Sequence, residues 1–353
     1  SDGGVMSAEE IKKRPIQTIL SGPAAGVAGA LLYAKAANGF FMEVGGTSTD
    51  ISVIRNGRVM VKWAQIGPHK TYINSLDIRT VAIAGGSMLR LSGGRAVCGP
   101  RSAHIAGLPY CCFAEPLCAE TLRIKRFLVP GDSAEYLVLH DDASQTDYAI
   151  TLTCLANYAG VVPEKDFARG STQNVRLALE QLSRFLEKSA NVILEEAFGD
   201  YCDFLEGVIA EFEDAYGLDR TELSLIGGGG GCAAVVPILA QRLKVPYQQC
   251  PNAQIISPIG VAMAMVREVC ERTIGSPSQE ELLRLREEAI SRAVRAGAIR
   301  DKIEVVIENE PQKNLVRAIA TGVTDRRLLP QDAPRLDRAE LLRCIQIQSG
   351  YRD

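Results

Sequence analysis

One tryptophan and three histidines in 353 residues leave little material for an imidazole-based site. His69, His104 and His140 stand far apart in the chain, and no Ser or Cys is placed with them in a way that suggests nucleophilic catalysis. An excess of one charge is missing too. Lys and Arg number 39 against 42 Asp and Glu, for a net charge of −3, and the basic residues are scattered, which excludes the electrostatic footprint of a nucleic-acid or anionic-membrane binder. No apolar run reaches the length of a bilayer span. The longest uncharged stretch near the start, 21–34, is short and rich in Gly and Ala, and with no signal peptide ahead of it the expectation is a cytoplasmic protein. Ten cysteines lack regular spacing and read as reduced, buried thiols; Cys98, Cys111, Cys112 and Cys118 do not supply the paired C-x2-C knuckles of a structural zinc site. Core material is ample, with 46% hydrophobic and 23% charged residues and a mean hydropathy of +0.03. At roughly 150 residues per domain the length fits about two domains.

The opening Ser1-Asp2-Gly3-Gly4 is turn-like and carries no initiator Met, and it reads as a chain cut from something larger. Ser7 and Glu10 fit a capping box for a short helix that Pro15 stops. Ser21-Gly22-Pro23 starts a second helix, whose Ala24, Ala25, Gly26, Ala28 and Gly29 permit close packing and which Asn38-Gly39 ends. From Phe40 the period becomes that of strands: 40–44, a glycine turn, 48–55, an Asn56-Gly57 turn and 58–63. Segments 80–84, 88–91 and 95–98 are expected to extend this sheet, and 122–129, 135–140 and 148–152 to form a further β-layer, inserted near 115–150. From Thr172 helices dominate, with Val175, Ala178, Leu179, Leu182, Phe185 and Leu186 on one stripe, and Gly217 closes the next helix. Then come strand 223–226, five glycines, helix 232–243, a short strand near Tyr247 and a helix after Ser257-Pro258. A capped helix from Ser278, strands 302–307 and 315–321, and a polar tail complete the chain.

Two glycine turns carry the candidate chemistry. In Glu43-Val44-Gly45-Gly46-Thr47-Ser48-Thr49-Asp50, consecutive glycines at a hairpin leave N–H groups free for an anion. Thr47, Ser48 and Thr49 can donate to phosphate oxygens, while Glu43 and Asp50 can hold Mg²⁺ through its water shell. The bland alternative is a tight structural hairpin. In the second turn, Gly227 with Gly228, Gly229, Gly230 and Gly231 follows an apolar strand and opens a helix, where a ligand can pack on bare backbone.

Together, the GGTSTD hairpin and the strand-glycine-helix unit resemble the second phosphate loop and the adenosine loop of the actin, hexokinase and Hsp70 ATPase superfamily. More closely, 1–8, Ser21-Gly22-Pro23-Ala24-Ala25-Gly26 and 43–52 resemble the hydantoinase/oxoprolinase family, specifically over 1–112 and again over 151–270. The resemblance implies an α/β fold: a ribonuclease-H-like, actin-type ATPase lobe with a mixed sheet opened by three antiparallel strands and helices on both faces. It implies domains at 1–36 (end of a first lobe and connecting helices), 37–275 (second lobe with the β insertion) and 276–353 (helix and strand extension). It further implies ATP and Mg²⁺ as cofactors, with Glu43 and Asp50 as catalytic carboxylates and Asp50 toward the metal. The expected activity is ATP-dependent turnover of a cyclic amide or related carbonyl compound, in an oligomer.

Several departures from the family pattern bear on that activity. The Asp before the glycine pair is Glu43 here. The D-x-H-T segment reads Asp77-Ile78-Arg79-Thr80, so an Arg, which cannot ligate a cation, replaces a candidate metal-binding His. Asp77 and Arg79 remain candidate substrate residues, Arg79 suited to a substrate carboxylate or to an ion pair with Asp77. The Thr-Asp-Ala segment reads Thr153-Cys154-Leu155. The family's first phosphate loop is absent, so the resemblance implies that a missing N-terminal lobe or a second subunit supplies it. The competing expectation is a non-catalytic nucleotide-binding or assembly subunit.

Overall fold

The structure is a computed structural model describing residues 4–13, 15–66 and 69–324. The first three residues of the opening turn and the polar tail beyond Thr324 lie outside the described residues. By contact the chain divides into two units, one built on Ile11–Ala264 and one on Val5–Glu10 with the residues from Met265 onward.

After helix α1 (Ala8–Lys13), the larger unit opens with α2 (Ser21–Leu32). Its central sheet uses β1 (Gly39–Val44), β2 (Thr49–Arg55) and β3 (Arg58–Val59). The Asn56-Gly57 turn takes positive φ at both residues, 52° and 67°, as a two-residue hairpin requires. Then β4 (Val61–Ile66) and β5 (His69–Leu76) leave the sheet as a separate ribbon, and β6 (Ile78–Val81) returns to β2. The expected strand 58–63 is therefore split.

Strands β7 (Ser87–Ser92) and β8 (Arg95–Ser102) precede α3 (Ala103–Ala106) and β9 (Leu122–Leu128), β10 (Glu135–Asp141) and β11 (Thr146–Ala149). Here the expectation is corrected. β7 and β8 do not extend the central sheet but join β9 to β11 in a second one, ordered β11-β10-β7-β8 with β9 on β10. The apolar alternation of 88–98 specifies a strand but not its neighbour, and β7 joins β10 through the Arg90–Tyr136 pair.

Helices α4 (Leu152–Tyr158), α5 (Thr172–Leu186) and α6 (Ala190–Tyr216) follow, the last closed by Gly217 at φ 57°. Next come β12 (Leu225–Gly228), α7 (Cys232–Leu243), β13 (Tyr247–Gln249) and α8 (Ile256–Met263). The central order is β13-β12-β1-β2-β3 with β6 also on β2. β1 runs parallel to β12 and antiparallel to β2, which is the ribonuclease-H-like mixed sheet. Strand parity sends Phe40, Met42 and Val44 to one face and Phe41 and Glu43 to the other. α6 covers the first face, with Phe40 and Phe212 ring centroids 6.1 Å apart. α2 and α8 cover the second. They approach closely because both are glycine-bearing: a Cβ on Gly260 would overlap the Ala25 carbonyl, and one on Gly29 the Ile256 carbonyl.

The smaller unit is a three-stranded sheet, β14 (Val266–Thr273), β16 (Leu315–Thr324) and β15 (Ala298–Glu310), ordered β14-β16-β15 and packed on α9 (Gln279–Arg295). Val266, Cys270, Val316, Ala318 and Ala320 meet Leu285, Ala289 and Ala293 in its core. The expected capping box is formed, the Ser278 hydroxyl accepting from the Glu281 amide at 3.2 Å. β14 pairs with β16 along its whole length, so residues 265–273, the end of the span 37–275 read from the sequence as the second lobe, belong by contact to this unit. No helix among the described residues is long and apolar enough to cross a membrane.

Candidate functional site

Three glycine turns meet at the carboxyl end of β1. The hairpin between β1 and β2 is closed by the Val44–Thr49 pair and by Gly45 N–H donating to the Ser48 carbonyl at 3.0 Å. The amides of Gly46, Thr47 and Ser48 have no acceptor among the described residues. A Cβ at Gly45 or Gly46 would meet nothing nearer than 3.5 Å, so the chain's own packing requires neither glycine. They leave a bare concavity lined by N–H groups, which is how a backbone nest holds an anion.

The other two turns lock the hairpin. Gly85 N–H donates to the Gly45 carbonyl at 3.2 Å, and Gly231 N–H to the Val44 carbonyl at 2.9 Å. Here glycine is obligatory. A Cβ at Gly86 would overlap the Gly46 carbonyl, one at Gly231 would lie 2.8 Å from the Gly45 carbonyl, and Gly229, at φ 82°, faces the Val44 carbonyl.

Glu43 and Asp50 are direct cross-strand partners and share a face. The Glu43 carboxyl lies against Gly26 of α2, takes a hydrogen bond from the Ser257 hydroxyl of α8 on Oε1, and leaves Oε2 buried without a partner. Burial chiefly pushes its pKa up to about 7; the Asp50 charge adds to the rise and the Ser257 bond opposes it. Burial likewise raises Asp50, against the Thr80 hydroxyl that donates to it at 2.5 Å.

The three hydroxyls separate. The Ser48 hydroxyl has no hydrogen-bond partner among the described residues, and the Thr47 hydroxyl pairs with that of Ser102 at 3.2 Å on the partly exposed hairpin. Thr49 is fully buried and donates to the Ile83 carbonyl at 2.5 Å, which withdraws it from the candidate phosphate donors.

Within the second glycine turn, Gly228 packs on the Phe41 ring, and only Gly230 opens outward, onto a residue the sequence reading missed. The ring of Phe167 would lie 2.9 Å from a Cβ at Gly230, yet Phe167 is 70% exposed. Its loop is fixed: buried Asn157 donates to the Ala168 carbonyl at 2.8 Å and accepts from Gly170 N–H at 2.9 Å, and Gln249 donates to Asp166 at 2.7 Å. An exposed aromatic on a fastened loop has no periodic signature in the sequence; Pro163 and Gly170 mark only a loop.

Asp77 and Arg79 are placed elsewhere. Both sit on the α6 side of the sheet, opposite Glu43 and Asp50, and they do not pair with each other. Asp77 is buried, accepting from the Tyr216 hydroxyl at 2.7 Å and pairing with Lys62 at 2.5 Å. Arg79 pairs with Glu211 and lies over the Phe212 ring, 4.2 Å from its centroid. Alternation along β6 explains the split, since Arg79 opposes Ile51 and Thr80 opposes Asp50. Cys154 is buried in α4, near Thr151.

A mixed sheet of this order with a glycine hairpin and a strand-glycine-helix unit has the fold of an actin-like ATPase lobe. The family model described as Hydantoinase/oxoprolinase matches residues 1–269, and the chain belongs to that family. It is 38% identical over 117 residues to 5-oxoprolinase 1 of Arabidopsis thaliana, and 35% identical over 117 residues to 5-oxoprolinase PfmaA of Pestalotiopsis fici. Each match covers 31% of this chain and 9% of the relative. Among solved structures, a nucleotide-free acetone carboxylase superposes with a TM-score of 0.59 at 14% identity, over 92% of this chain and 52% of that one. The ATP-dependent caprolactamase from Pseudomonas jessenii gives 0.57 at 16% identity, over 86% and 50%. At these identities the likeness is one of fold, and the chain spans about half the length of either structure.

Proposed function

We propose that this chain supplies one wall of an ATP site in a protein that turns over a cyclic amide or a related carbonyl compound, as hydrolase or carboxylase-type subunit. The observation carrying the reading is the run of three acceptor-free amides, Gly46, Thr47 and Ser48, on a hairpin tied by backbone bonds to two other glycine turns. Preorganised N–H donors of this kind hold phosphate oxygens without reorganising when charge shifts in the reaction. The Ser48 hydroxyl adds a donor. Gly230 and the exposed face of Phe167 offer a stacking surface for the base.

Mg²⁺ fits the acidic pair. Two neighbouring carboxyls, both shifted upward by burial, are relieved by a cation, and one oxygen of Glu43 lacks a partner. No group of three His, Cys, Asp or Glu side chains that could hold a metal exists among the described residues, so in this reading the ion keeps most of its water and takes phosphate oxygens. When bound, the ion would neutralise phosphate charge. In the proposed reaction the γ-phosphoryl group passes to the oxygen of a poorly electrophilic amide or enolate and ADP leaves; Glu43 or Asp50 orients the attacking group.

A second reading, a nucleotide-binding or assembly subunit without turnover, draws on Asp77 and Arg79 being engaged with partners of their own. Calorimetric titration of the chain with ATP, with and without Mg²⁺, tests the shared part of both readings. Mg²⁺-dependent binding weakened by Asp50→Asn is the expected result; equal binding by parent and Asp50→Asn would remove the acidic pair from the site.

A further inference from the structure

Tyr110 has no role in the reading above, yet its side chain reaches the same hairpin. Its backbone is bridged to Ala149, and its ring stacks on Phe113 with centroids 5.5 Å apart and planes at 22°. The hydroxyl lies where two of the glycine turns meet: a Cβ at Gly46 would come within 3.5 Å of it, and one at Gly86 would overlap it. It has no hydrogen-bond partner among the described residues, and it is not sealed from solvent.

A phenol O–H ordinarily takes an acceptor, and several tyrosines of this chain find theirs within the protein, whereas at Tyr110 it is left to solvent or a ligand. Tyr136 donates to Asp132, Tyr201 to the Val235 carbonyl, Tyr216 to Asp77 and Tyr247 to Gln249. Burial chiefly, with the neighbouring thiols Cys154 and Cys112, pushes the Tyr110 pKa up to about 12, so the group is a neutral O–H donor at any working pH. A neutral donor suits an anionic oxygen, and the hydroxyl adjoins Gly46, on the hairpin whose amides have no acceptor among the described residues.

We infer that Tyr110 is a phosphate-contacting residue, its phenol O–H completing, with the amides of Gly46, Thr47 and Ser48, a ring of donors around one anionic phosphate oxygen. The inference rests on the phosphate reading of the hairpin and adds the side chain that the backbone alone does not supply. Within that reading Tyr110 also sets specificity for a tetrahedral, charged oxygen over a neutral carbonyl, since a hydrogen bond to a charged acceptor is about twice as strong as a neutral one.

Tyr110→Phe deletes the oxygen and keeps the ring against Phe113. The parent and the variant are titrated with Mg²⁺-ATP, inorganic tripolyphosphate and adenosine, alongside thermal unfolding without ligand. Expected is a loss of about ten-fold or more for Mg²⁺-ATP and for tripolyphosphate, with adenosine binding and the unfolding midpoint unchanged. If the parent binds tripolyphosphate and Tyr110→Phe binds it equally well, the inference is overturned while the hairpin reading stands. A variant weakened for adenosine to the same degree as for tripolyphosphate also overturns it, since the loss would then not follow the phosphate. If the parent binds neither Mg²⁺-ATP nor tripolyphosphate, the hairpin reading falls and the inference with it.

Discussion

Glu43 occupies a place that its charge resists, and the cost is measurable. Its pKa is about 7 in the folded chain against an ordinary 4.5, so the folded state holds the proton more tightly than the unfolded one. The associated stability is complete below pH 4.5 and is lost as pH rises through 7, to the extent of about 3 kcal/mol. Glu43→Gln, which resembles the protonated form, should therefore exceed the parent by about 3 kcal/mol at pH 8 and match it at pH 4, in urea unfolding without metal or nucleotide. A gap independent of pH would show that charge is not the cause. The glycines make the complementary argument. Gly46 lacks a positive φ, and a Cβ there would make only an ordinary 3.5 Å contact with the Tyr110 hydroxyl, so Gly46→Ala should leave the unfolding midpoint in place while weakening Mg²⁺-ATP binding. Gly229, at φ 82° and pressed on the Val44 carbonyl, should cost roughly 1–3 kcal/mol or more when changed to Ala, by strain and overlap together. One glycine is then kept for a ligand and the other for the fold, and comparing the two unfolding midpoints separates these roles.

Among the elements, what could be read locally was read well. Asn56-Gly57, Gly93-Gly94, the Ser278 capping box and helix α7 follow from turn chemistry and period within a few residues. Sheet membership was not legible, because β7, besides its hairpin partner β8, pairs with β10 from 135–141 rather than with the central strands that precede it, and a strand's alternation names its buried face but not its partner. β14 escaped notice although Val266 and Cys270 alternate as a half-buried strand should, since it follows α8 after only two residues. In the site, the glycine turns and Glu43 and Asp50 were legible from residue type alone. The placement of Asp77 and Arg79 on the opposite face depends on the register of β6, and Phe167 and Tyr110 on loops crossing the chain, which spacing does not encode. The loop of Phe167 offers a test at this scale. Phe167→Ala should lower Mg²⁺-ATP affinity about ten-fold, as loss of one base–aromatic stack does, and leave tripolyphosphate affinity unchanged. Equal losses for both ligands would place the ring on the phosphates or in the fold instead of under the base.

For the whole molecule the decisive point is how much of a phosphoryl-transfer site one lobe can hold. Transfer requires attacking and leaving oxygens nearly in line, with donors and cation fixed on more than one side of the moving group. The donors assembled here, three amides, Ser48 and the Tyr110 hydroxyl, all gather at the carboxyl end of β1, and the acidic pair sits on the same hairpin. The superposed structures are about twice as long as this chain, which covers 52% and 50% of them. A site built from one wall positions phosphate weakly, and near-attack geometry is the property it loses first. The 353-residue chain by itself is therefore expected to bind Mg²⁺-ATP weakly and to release inorganic phosphate at a negligible rate. Extension at its N-terminus by the strand-turn-strand phosphate loop and remaining first lobe of a family member should raise both. The measurement is phosphate release with Mg²⁺-ATP for the two proteins, with Asp50→Asn in each as the control for a contaminating ATPase. Robust turnover by the 353 residues alone, abolished by Asp50→Asn, would mean that this lobe already contains the full set of positioning groups, and the two-walled account of the site would have to be abandoned.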